Sequence, residues 1–236
     1  MAKFFSRDVR VFFDGYDPSP QTVRYDLGIE QGALEVTAFG DAGERVIAGV
    51  KTATFEWAAL FDDVSTALDA ANTLIGNGTA RVLMVLIGTG TGARAFAGTA
   101  FMLAQKEEAH ISELVRMEAA FRSDQAWDVA VHYGPKAVLP PGTNSGSIDN
   151  TAASTAGGTV YFIIHSATTA TGTALLQDSA DGITFATLGT ALIVYSGTGP
   201  ISTVGTYAGT IRRYTRVLNV AGSTGTITIT AALKRS

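Results

Sequence analysis

Residues Val36–Asp63 read VTAFGDAGERVIAGVKTATFEWAALFDD, and the interpretation of the whole chain starts from this stretch. It contains the end of one strand, a glycine-rich polar loop over Ala38–Lys51, and a second strand over Thr54–Phe61. Apolar and polar residues alternate in the second strand, which is typical of a half-buried β-strand. One face carries Phe55, Trp57, Ala59 and Phe61, and the other carries Thr54, Glu56, Ala58 and Leu60. The stretch has the composition of a surface that meets another copy of the chain.

A single helix is predicted directly after this strand, over about residues 62–75. Asp62, Asp63 and Ser65 favour the N-cap or the first turn of a helix, which explains the acidic pair without a catalytic role. Apolar residues then recur at the spacing of one helix face. They are Val64, Ala67, Leu68, Ala71, Leu74 and Ile75.

The other segments of the N-terminal half are predicted to be strands separated by turns. Residues Gln105–Arg122 stay open at this point, because strong helix formers dominate the segment while its second half also alternates as a strand would. The predicted strands are Asp8–Phe13, Val23–Leu27, Ile29–Thr37 with a bulge or bend at Gly32, Ala80–Ile87, Arg94–Leu103 and Trp127–Tyr133.

Composition excludes several classes of protein. The chain has 236 residues, 46% of them hydrophobic, and no cysteine, so it has neither disulfides nor thiolate metal sites. A net charge of −4 argues against general affinity for nucleic acid. We expect neither a membrane partner nor a cleaved secretory leader, since no long apolar run and no leader pattern is present.

Charge and composition both change near residue 141. Residues 1–141 carry 12 Lys/Arg and 18 Asp/Glu, whereas residues 142–236 carry 5 and 3. Residues 142–157 are small and polar without a period, which indicates a linker. Short strands at close spacing over residues 158–236 then predict a small antiparallel, Ig-like β-sandwich. They are Thr159–His165, Thr173–Gln177, Thr184–Leu188, Leu192–Tyr195, Gly209–Val220 and Gly225–Leu233.

Motifs that carry chemistry are weak or missing. Gly88–Gly92 reads GTGTG, but the next residues alternate as a strand, so a hairpin turn is a better interpretation than a phosphate loop. The three histidines lack the spacing of metal ligands, and no nucleophile elbow occurs. We therefore predict no enzyme activity, no cofactor and no metal. Arg212, Tyr214 and Arg216 would share one face of a strand and form a candidate exterior binding face.

Several residues of the opening stretch follow a known pattern: a Val-Thr-x-Phe-Gly-Asp strand end, a polar loop, an Ile-x-Gly-Val-Lys turn, and an aromatic strand that ends in Phe-Asp-Asp. In this pattern the chain resembles the tail tube (major tail) proteins of long-tailed bacteriophages, and the order of elements agrees over about residues 8–134. The matching residues are Val36, Thr37, Phe39, Gly40, Asp41, Ile47, Gly49, Lys51, Phe55, Trp57, Phe61, Asp62 and Asp63.

The C-terminal half resembles modules appended to such proteins. The resemblance lies in LLQDSADGITFATL at Leu175–Leu188 and in GTIRRYTRVLNVAGSTGTITITAAL at Gly209–Leu233. It implies a module that decorates the outside of the tube.

For residues 1–141 the resemblance implies a two-sheet β-sandwich or barrel with one flanking helix. Such subunits form hexameric rings that stack into a tube for DNA ejection, and their inner strands join between neighbours. The family pattern also favours a strand over Ser112–Arg122. By resemblance, the loop contacts a neighbouring subunit through Phe39, Gly40, Asp41, Arg45, Ile47, Gly49 and Lys51.

The implied location is the tail of a virion, assembled in the host cytoplasm. The implied partners are further copies of the chain, the tape measure, terminator and baseplate proteins, and transiting DNA without specific binding. The rival interpretations are a capsid decoration or tail terminator protein, or a carbohydrate-binding β-module whose face carries Arg212, Tyr214 and Arg216.

Overall fold

The computed structural model describes residues 8–35, 46–60, 79–108, 116–123, 127–168, 171–197 and 199–236. These residues are almost entirely β-structure, which confirms the mainly β prediction; a short 3-10 helix covers Ser19–Gln21. The strands are β1 (Val9–Phe13), β2 (Thr22–Glu35), β3 (Val46–Leu60), β4 (Arg81–Ile87), β5 (Arg94–Glu108), β6 (Arg116–Ser123), β7 (Asp128–His132), β8 (Ala137–Leu139), β9 (Ile148–Asp149), β10 (Gly158–Ala167), β11 (Thr171–Ser179), β12 (Ala186–Ser196), β13 (Ile201–Tyr207), β14 (Tyr214–Asn219) and β15 (Ile227–Arg235).

The chain divides into two compact units. One contains the described parts of Met1–Ser19, Arg81–Ala97 and Asp128–Ser236, and the other contains those of Pro20–Ala80 and Gly98–Trp127. We call them the sandwich unit and the arm unit.

The arm unit is an antiparallel sheet in the order β2-β3-β6-β5, with β5 contributing its second half. Its apolar face is built on the alternation of the strand around Phe55, which is 1% exposed. Phe55 stacks on Trp127 at 6.1 Å between ring centroids and lies 5.8 Å from Phe121. The indole Nε1 of Trp57 donates a hydrogen bond of 2.7 Å to Thr22. The predicted face of Phe55, Trp57 and Ala59 is therefore confirmed as a buried face.

Three breaks in strand register shape this sheet. The β2–β3 pairing shifts between Gln31 and Ala33, so Gly32 lies opposite two residues of β3, which confirms the bulge predicted there. A second shift in the same pair places an extra residue at Val23. The third lies in the β5–β6 pair, where Leu103 is the extra residue. Val23 and Leu103 are 55% and 58% exposed, respectively.

The sandwich unit packs two sheets on one core. One sheet contains β13-β10-β15-β7 and the first residues of β5, with β8 paired to β15, and a β1–β4 pair belongs to the same unit. The other sheet has the order β12-β11-β14-β9. Side chains from both sheets form one apolar cluster, which confirms the predicted C-terminal sandwich. Fully buried members include Phe162, Ile164, Leu176, Val217 and Ile227.

The compact units do not follow the division expected at residue 141. β15 pairs with β7 through Ala232 and His132, and with β8 through Ile227 and Leu139, so the C-terminal strands complete a sheet that begins earlier in the chain. Residues 142–157 also run along β14 through backbone hydrogen bonds, such as that from the Ser145 N–H to the Val217 carbonyl. The small polar residues of 142–157, which predicted a linker, thus form an irregular segment that is hydrogen-bonded to β14.

Several local predictions need correction. Within the loop expected over Ala38–Lys51, residues Val46–Lys51 are instead the start of β3 and pair with the end of β2. The rest of that predicted loop lies outside the described residues. The strands expected at 184–188 and 192–195 form one irregular strand, β12, because both segments pair with β11 on either side of a register break. β13 was not expected, since its alternation is masked by Ser, Thr and Gly.

The segment that stayed open between helix and strand is a strand from Arg116, as the family pattern favours, and it pairs with both β3 and β5. The helix predicted over about 62–75 lies outside the described residues. Among the residues that the structure does describe, no helix is long and apolar enough to cross a membrane.

Replacing Phe55 by Ala should destabilise the arm unit strongly, because the side chain is enclosed by aromatic rings and its loss leaves a cavity. We expect a loss of about 3–5 kcal/mol in the free energy of unfolding, measured by urea denaturation. Its strand neighbour provides the control: Glu56 has a side chain that is 63% exposed, so Glu56→Ala should change stability by less than about 0.5 kcal/mol. Equal losses in the two variants would contradict this assignment of the buried face.

Candidate assembly interface

The hairpin of β2 and β3 extends well past the other described strands of the arm unit. The last pair between β3 and β6 joins Thr54 to Arg122, whereas β3 begins at Val46. Over Val46–Ala53, β2 is the only described strand that pairs with β3. Eight residues at about 3.3 Å each make a two-stranded ribbon of about 25 Å. We call this ribbon, residues 29–35 and 46–53, the arm.

The β2 strand forms one edge of the sheet. Twelve of its fourteen residues have register partners on β3, and no described strand pairs with β2 on the other side. An edge strand of this kind can serve as a template for another strand. Ile29, on the same side of the ribbon as buried Ala53, is 44% exposed. The arm thus combines an open edge with uncovered apolar surface.

The face of the arm unit opposite Phe55 carries charges of both signs around small residues. Arg24 and Glu56 form an exposed ion pair of 3.8 Å across β2 and β3. Lys106 and Glu118 are register partners on β5 and β6. A shallow groove between these pairs is lined in part by Ala58, Ala104 and Ala120. Because positive and negative side chains alternate, the described part of this face has no continuous basic surface.

The sequence-predicted contact residues fall into two groups. Ile47, Gly49 and Lys51 belong to β3 within the arm rather than to a loop, and Gly49 lies where β3 has its extra residue opposite Gly32. Phe39, Gly40, Asp41 and Arg45 lie outside the described residues. Contact of these residues with a neighbouring subunit stays a prediction.

Arg212 does not present a free cation on the predicted exterior face. It precedes β14, and its side chain and backbone N–H both bond to the carboxylate of Asp178, at 2.9 and 2.7 Å. That carboxylate is almost fully buried, with 2% of the side chain exposed. The pair therefore compensates a buried charge inside the sandwich unit.

Tyr214 and Arg216 do share a face of β14, as predicted, but each packs against its own neighbour. The Arg216 guanidinium lies 3.9 Å above the Phe185 ring and donates a hydrogen bond of 2.8 Å to Gln177. The ring of Tyr214 covers Gly182, in the turn after β11. Asp181 stabilises this turn by accepting hydrogen bonds from Ser179 and from two backbone N–H groups, which lower its pKa to about 2.

Two histidines are held in the neutral form inside the sandwich unit. His165 is the extra residue of a bulge in β10; Nδ1 donates to the Gly15 carbonyl at 2.7 Å and Nε2 accepts from Thr230 at 2.9 Å. Burial lowers the pKa of His165 to about 4. His132 donates from Nε2 to the Gly88 carbonyl and accepts from the Gly134 N–H, and burial lowers its pKa as well.

The glycine-rich turn between β4 and β5 is a hairpin turn, as predicted. The Gly88 N–H donates to the Asp8 carbonyl, and the Gly92 N–H donates to the His132 carbonyl. These amides are therefore occupied within the protein. Over the described part of the chain, no group of three or more His, Cys, Asp or Glu side chains is arranged to hold a metal ion.

Comparison with known proteins gives likenesses to solved structures. No family model and no curated protein matches the chain. The tail of an empty gene transfer agent particle with C6 symmetry contains a chain 15% identical, matched over 54% of this chain and 98% of its own, with a TM-score of 0.43. The SPP1 tail tube is 12% identical over 51% of this chain and 76% of its own, with a TM-score of 0.44.

A third likeness spans nearly the whole chain. The SPP1 Dit protein, described as a hub of the adsorption apparatus, is 13% identical over 96% of this chain and 99% of its own, with a TM-score of 0.35. Proteins of phage tails are therefore among the solved structures that this chain resembles, as the sequence resemblance leads us to expect. All three TM-scores lie below 0.5, and none of these likenesses gives the chain a function.

Acid should destabilise the protein through His165. Its folded-state pKa lies below the ordinary value of 6.5, so its contribution is fully present above pH 6.5 and is lost as the pH falls toward 4. We expect the free energy of unfolding to fall by roughly 2–3 kcal/mol more in the wild type than in His165→Asn across this range. Denaturant titrations at a series of pH values would measure it, and parallel curves for the two proteins would contradict it.

Proposed function

We propose that the protein is a non-enzymatic structural subunit of a phage tail, and that it polymerises as hexameric rings into the tail tube through which DNA is ejected. The observation that carries the proposal is the arm of β2 and β3. An isolated two-stranded ribbon is marginally stable in water, and no described strand covers the arm, so we expect it to have a covering partner. A neighbouring copy of the chain would provide it.

The strand order of the arm unit supports a ring. Three antiparallel steps separate β2 from β5, so the two strands run in opposite directions. Rotation about a ring axis preserves the direction of every strand along that axis. The edge strand β2 of one copy would therefore meet β5 of the next in an antiparallel pair, and the pairing would continue until the ring closes.

The two faces of this sheet fit a tube wall. The face with Phe55 and Trp57 is apolar and buried, whereas the opposite face carries ion-paired side chains such as Arg24 and Glu56. We assign this charged face to the lumen. A surface without a continuous basic track would let the DNA polyanion pass without specific binding.

The family pattern at Val36–Asp63 directs the proposal to a tail tube in particular. The protein would then be located in the virion tail after assembly in the host cytoplasm. Its partners would be its own copies in stacked rings and the tape measure, terminator and baseplate proteins. The candidate exterior face has less support as a glycan site, because Arg212 is committed to Asp178.

Electron microscopy tests this proposal directly. Purified protein at high concentration should form six-fold rings or tubes in negative stain. A wild-type protein that stays monomeric in every condition, with no ring or tube, would reject the proposed function.

Replacing Ile29 by Lys should block assembly and leave the fold intact. The residue is 44% exposed in the monomer, so the free energy of unfolding should change by less than about 1 kcal/mol. A charge on the arm should nevertheless reduce polymer at least tenfold, measured by sedimentation and microscopy. Ile183→Lys is the matched control, since Ile183 is 83% exposed in a turn of the sandwich unit. Equal polymer from the two variants would contradict a role for the arm.

A further inference from the structure

A cleft of about 380 Å³ opens on the sandwich unit where its apolar core reaches the surface. Leu233 and Val131 form the floor: the first is buried in the core cluster and the second packs against it. Arg94, the register partner of Val131 on β5, lies at the rim of this floor. Val129 lies two residues from Val131 on the same side of β7 and is 49% exposed. The cleft therefore leads from buried apolar surface to an exposed cation, and we call it the Arg94 cleft.

The Arg94 guanidinium has no ion-pair partner among the described residues, whereas Arg81 and Arg212 of the same unit each have a carboxylate. Its residue is exposed, and the guanidinium carbon lies 5.2 Å from the centre of the Phe96 ring. An aromatic ring orients an arginine above it and leaves the N–H groups at the edge of the guanidinium plane available to an acceptor. Arg94 is therefore positioned to bind an anion that comes from outside the sandwich unit.

Arg235 brings a second guanidinium to the same cleft. It donates hydrogen bonds to the backbone carbonyls of Asn150, at 2.9 Å, and of Ala152, and these bonds hold it in place. Neutral carbonyl groups leave its positive charge uncompensated, and no acidic side chain is among the described residues that line the cleft. Two cations beside one cleft thus attract anionic groups locally, although the chain as a whole has a net charge of −4.

The size and the lining of the Arg94 cleft favour a small amphipathic anion as its ligand. Pockets for small molecules typically measure about 300–1,000 Å³, so a volume of about 380 Å³ suits a ligand of few atoms. A carboxylate matches the planar guanidinium of Arg94 through two parallel hydrogen bonds. The apolar floor of Val131 and Leu233 would desolvate a second charge without pairing it, which disfavours a dianion such as phosphate. An aliphatic group joined to one carboxylate fits both the floor and the rim.

We propose that the Arg94 cleft binds a small aliphatic carboxylate. Arg94 pairs with the carboxylate, and Arg235 adds positive potential beside it. The aliphatic chain lies on Val129, Val131 and Leu233. All of these residues belong to the sandwich unit. The inference goes beyond the proposed function, and neither depends on the other.

Isothermal titration calorimetry of the full-length protein tests the ligand class with four probes at one ionic strength: hexanoate, hexanol, acetate and inorganic phosphate. Hexanol lacks the charge of hexanoate, and acetate lacks most of its chain. Hexanoate should bind about tenfold more tightly than either, because buried methylenes and charge-assisted hydrogen bonds both contribute. No binding of hexanoate, or equal affinity for hexanoate and either of these two probes, would overturn the site. Tighter binding of phosphate than of hexanoate would overturn the choice of a carboxylate.

Removing the charge of Arg94 tests its role in binding the carboxylate. Arg94→Gln should weaken hexanoate binding about tenfold or more and leave hexanol binding unchanged, because only the charge-assisted hydrogen bonds are lost. Since the residue is exposed, the urea midpoint of unfolding should stay at the wild-type value. Arg122→Gln is the matched control, because it removes an exposed arginine of the arm unit. Equal hexanoate affinity in Arg94→Gln and Arg122→Gln would overturn the proposal.

A second variant tests the apolar part of the cleft. Val129→Thr replaces one methyl group by a hydroxyl group, so hexanoate should bind about fourfold more weakly while acetate binding stays the same. Val138→Thr is the matched control, because Val138 is 64% exposed on β8 and does not line the cleft. Weaker hexanoate binding in Val129→Thr alone would support the proposed position of the chain. Equal affinities in the two variants would overturn it.

Discussion

The pairing of β2 with β3 is the interaction on which the arm unit depends. It joins two strands of 14 and 15 residues, yet β6 pairs only with residues 54–60 of β3. Over these residues, Phe55 and its aromatic neighbours supply the buried apolar surface that stabilises the sheet. Over residues 46–53 of β3, β2 is the only described strand that pairs with it. Among the described residues, the same hairpin is therefore part of a four-stranded sheet at one end and a two-stranded ribbon at the other.

Much of this architecture follows from local sequence patterns. The alternation around Phe55 predicts both the strand and its buried face, and Gly32 predicts the bulge, because both are effects of neighbours in sequence. The GTGTG sequence is also correctly predicted to be a hairpin turn, since a strand follows it directly. The start of β3 at Val46 is not predicted, because a run of Gly, Val and Lys next to a polar segment resembles a loop until its partner strand is known.

Other features depend on partners that are far apart in sequence. Asp178 and Arg212 lie 34 residues apart, and the sequence around each of them does not predict a buried ion pair. His165 faces the carbonyl of Gly15 across 150 residues because a bulge in β10 re-aims it. The pairing of β15 with β7 likewise crosses the point where charge and composition change. Composition marks that boundary, but strand pairing determines the compact unit.

The edge strand β2, for which we propose pairing with a neighbouring copy, must also avoid pairing with the wrong partner. The bulges at Val23, Gly32 and Leu103 interrupt register at three places in a sheet of four strands, and a slip by one residue would no longer align them. Charged side chains such as Arg24 and Glu30 on β2 further penalise a misaligned neighbour. Bulges and charges thus limit which strand can extend the sheet and in which register. Backbone hydrogen bonds, which are the same for every strand, cannot provide that selectivity.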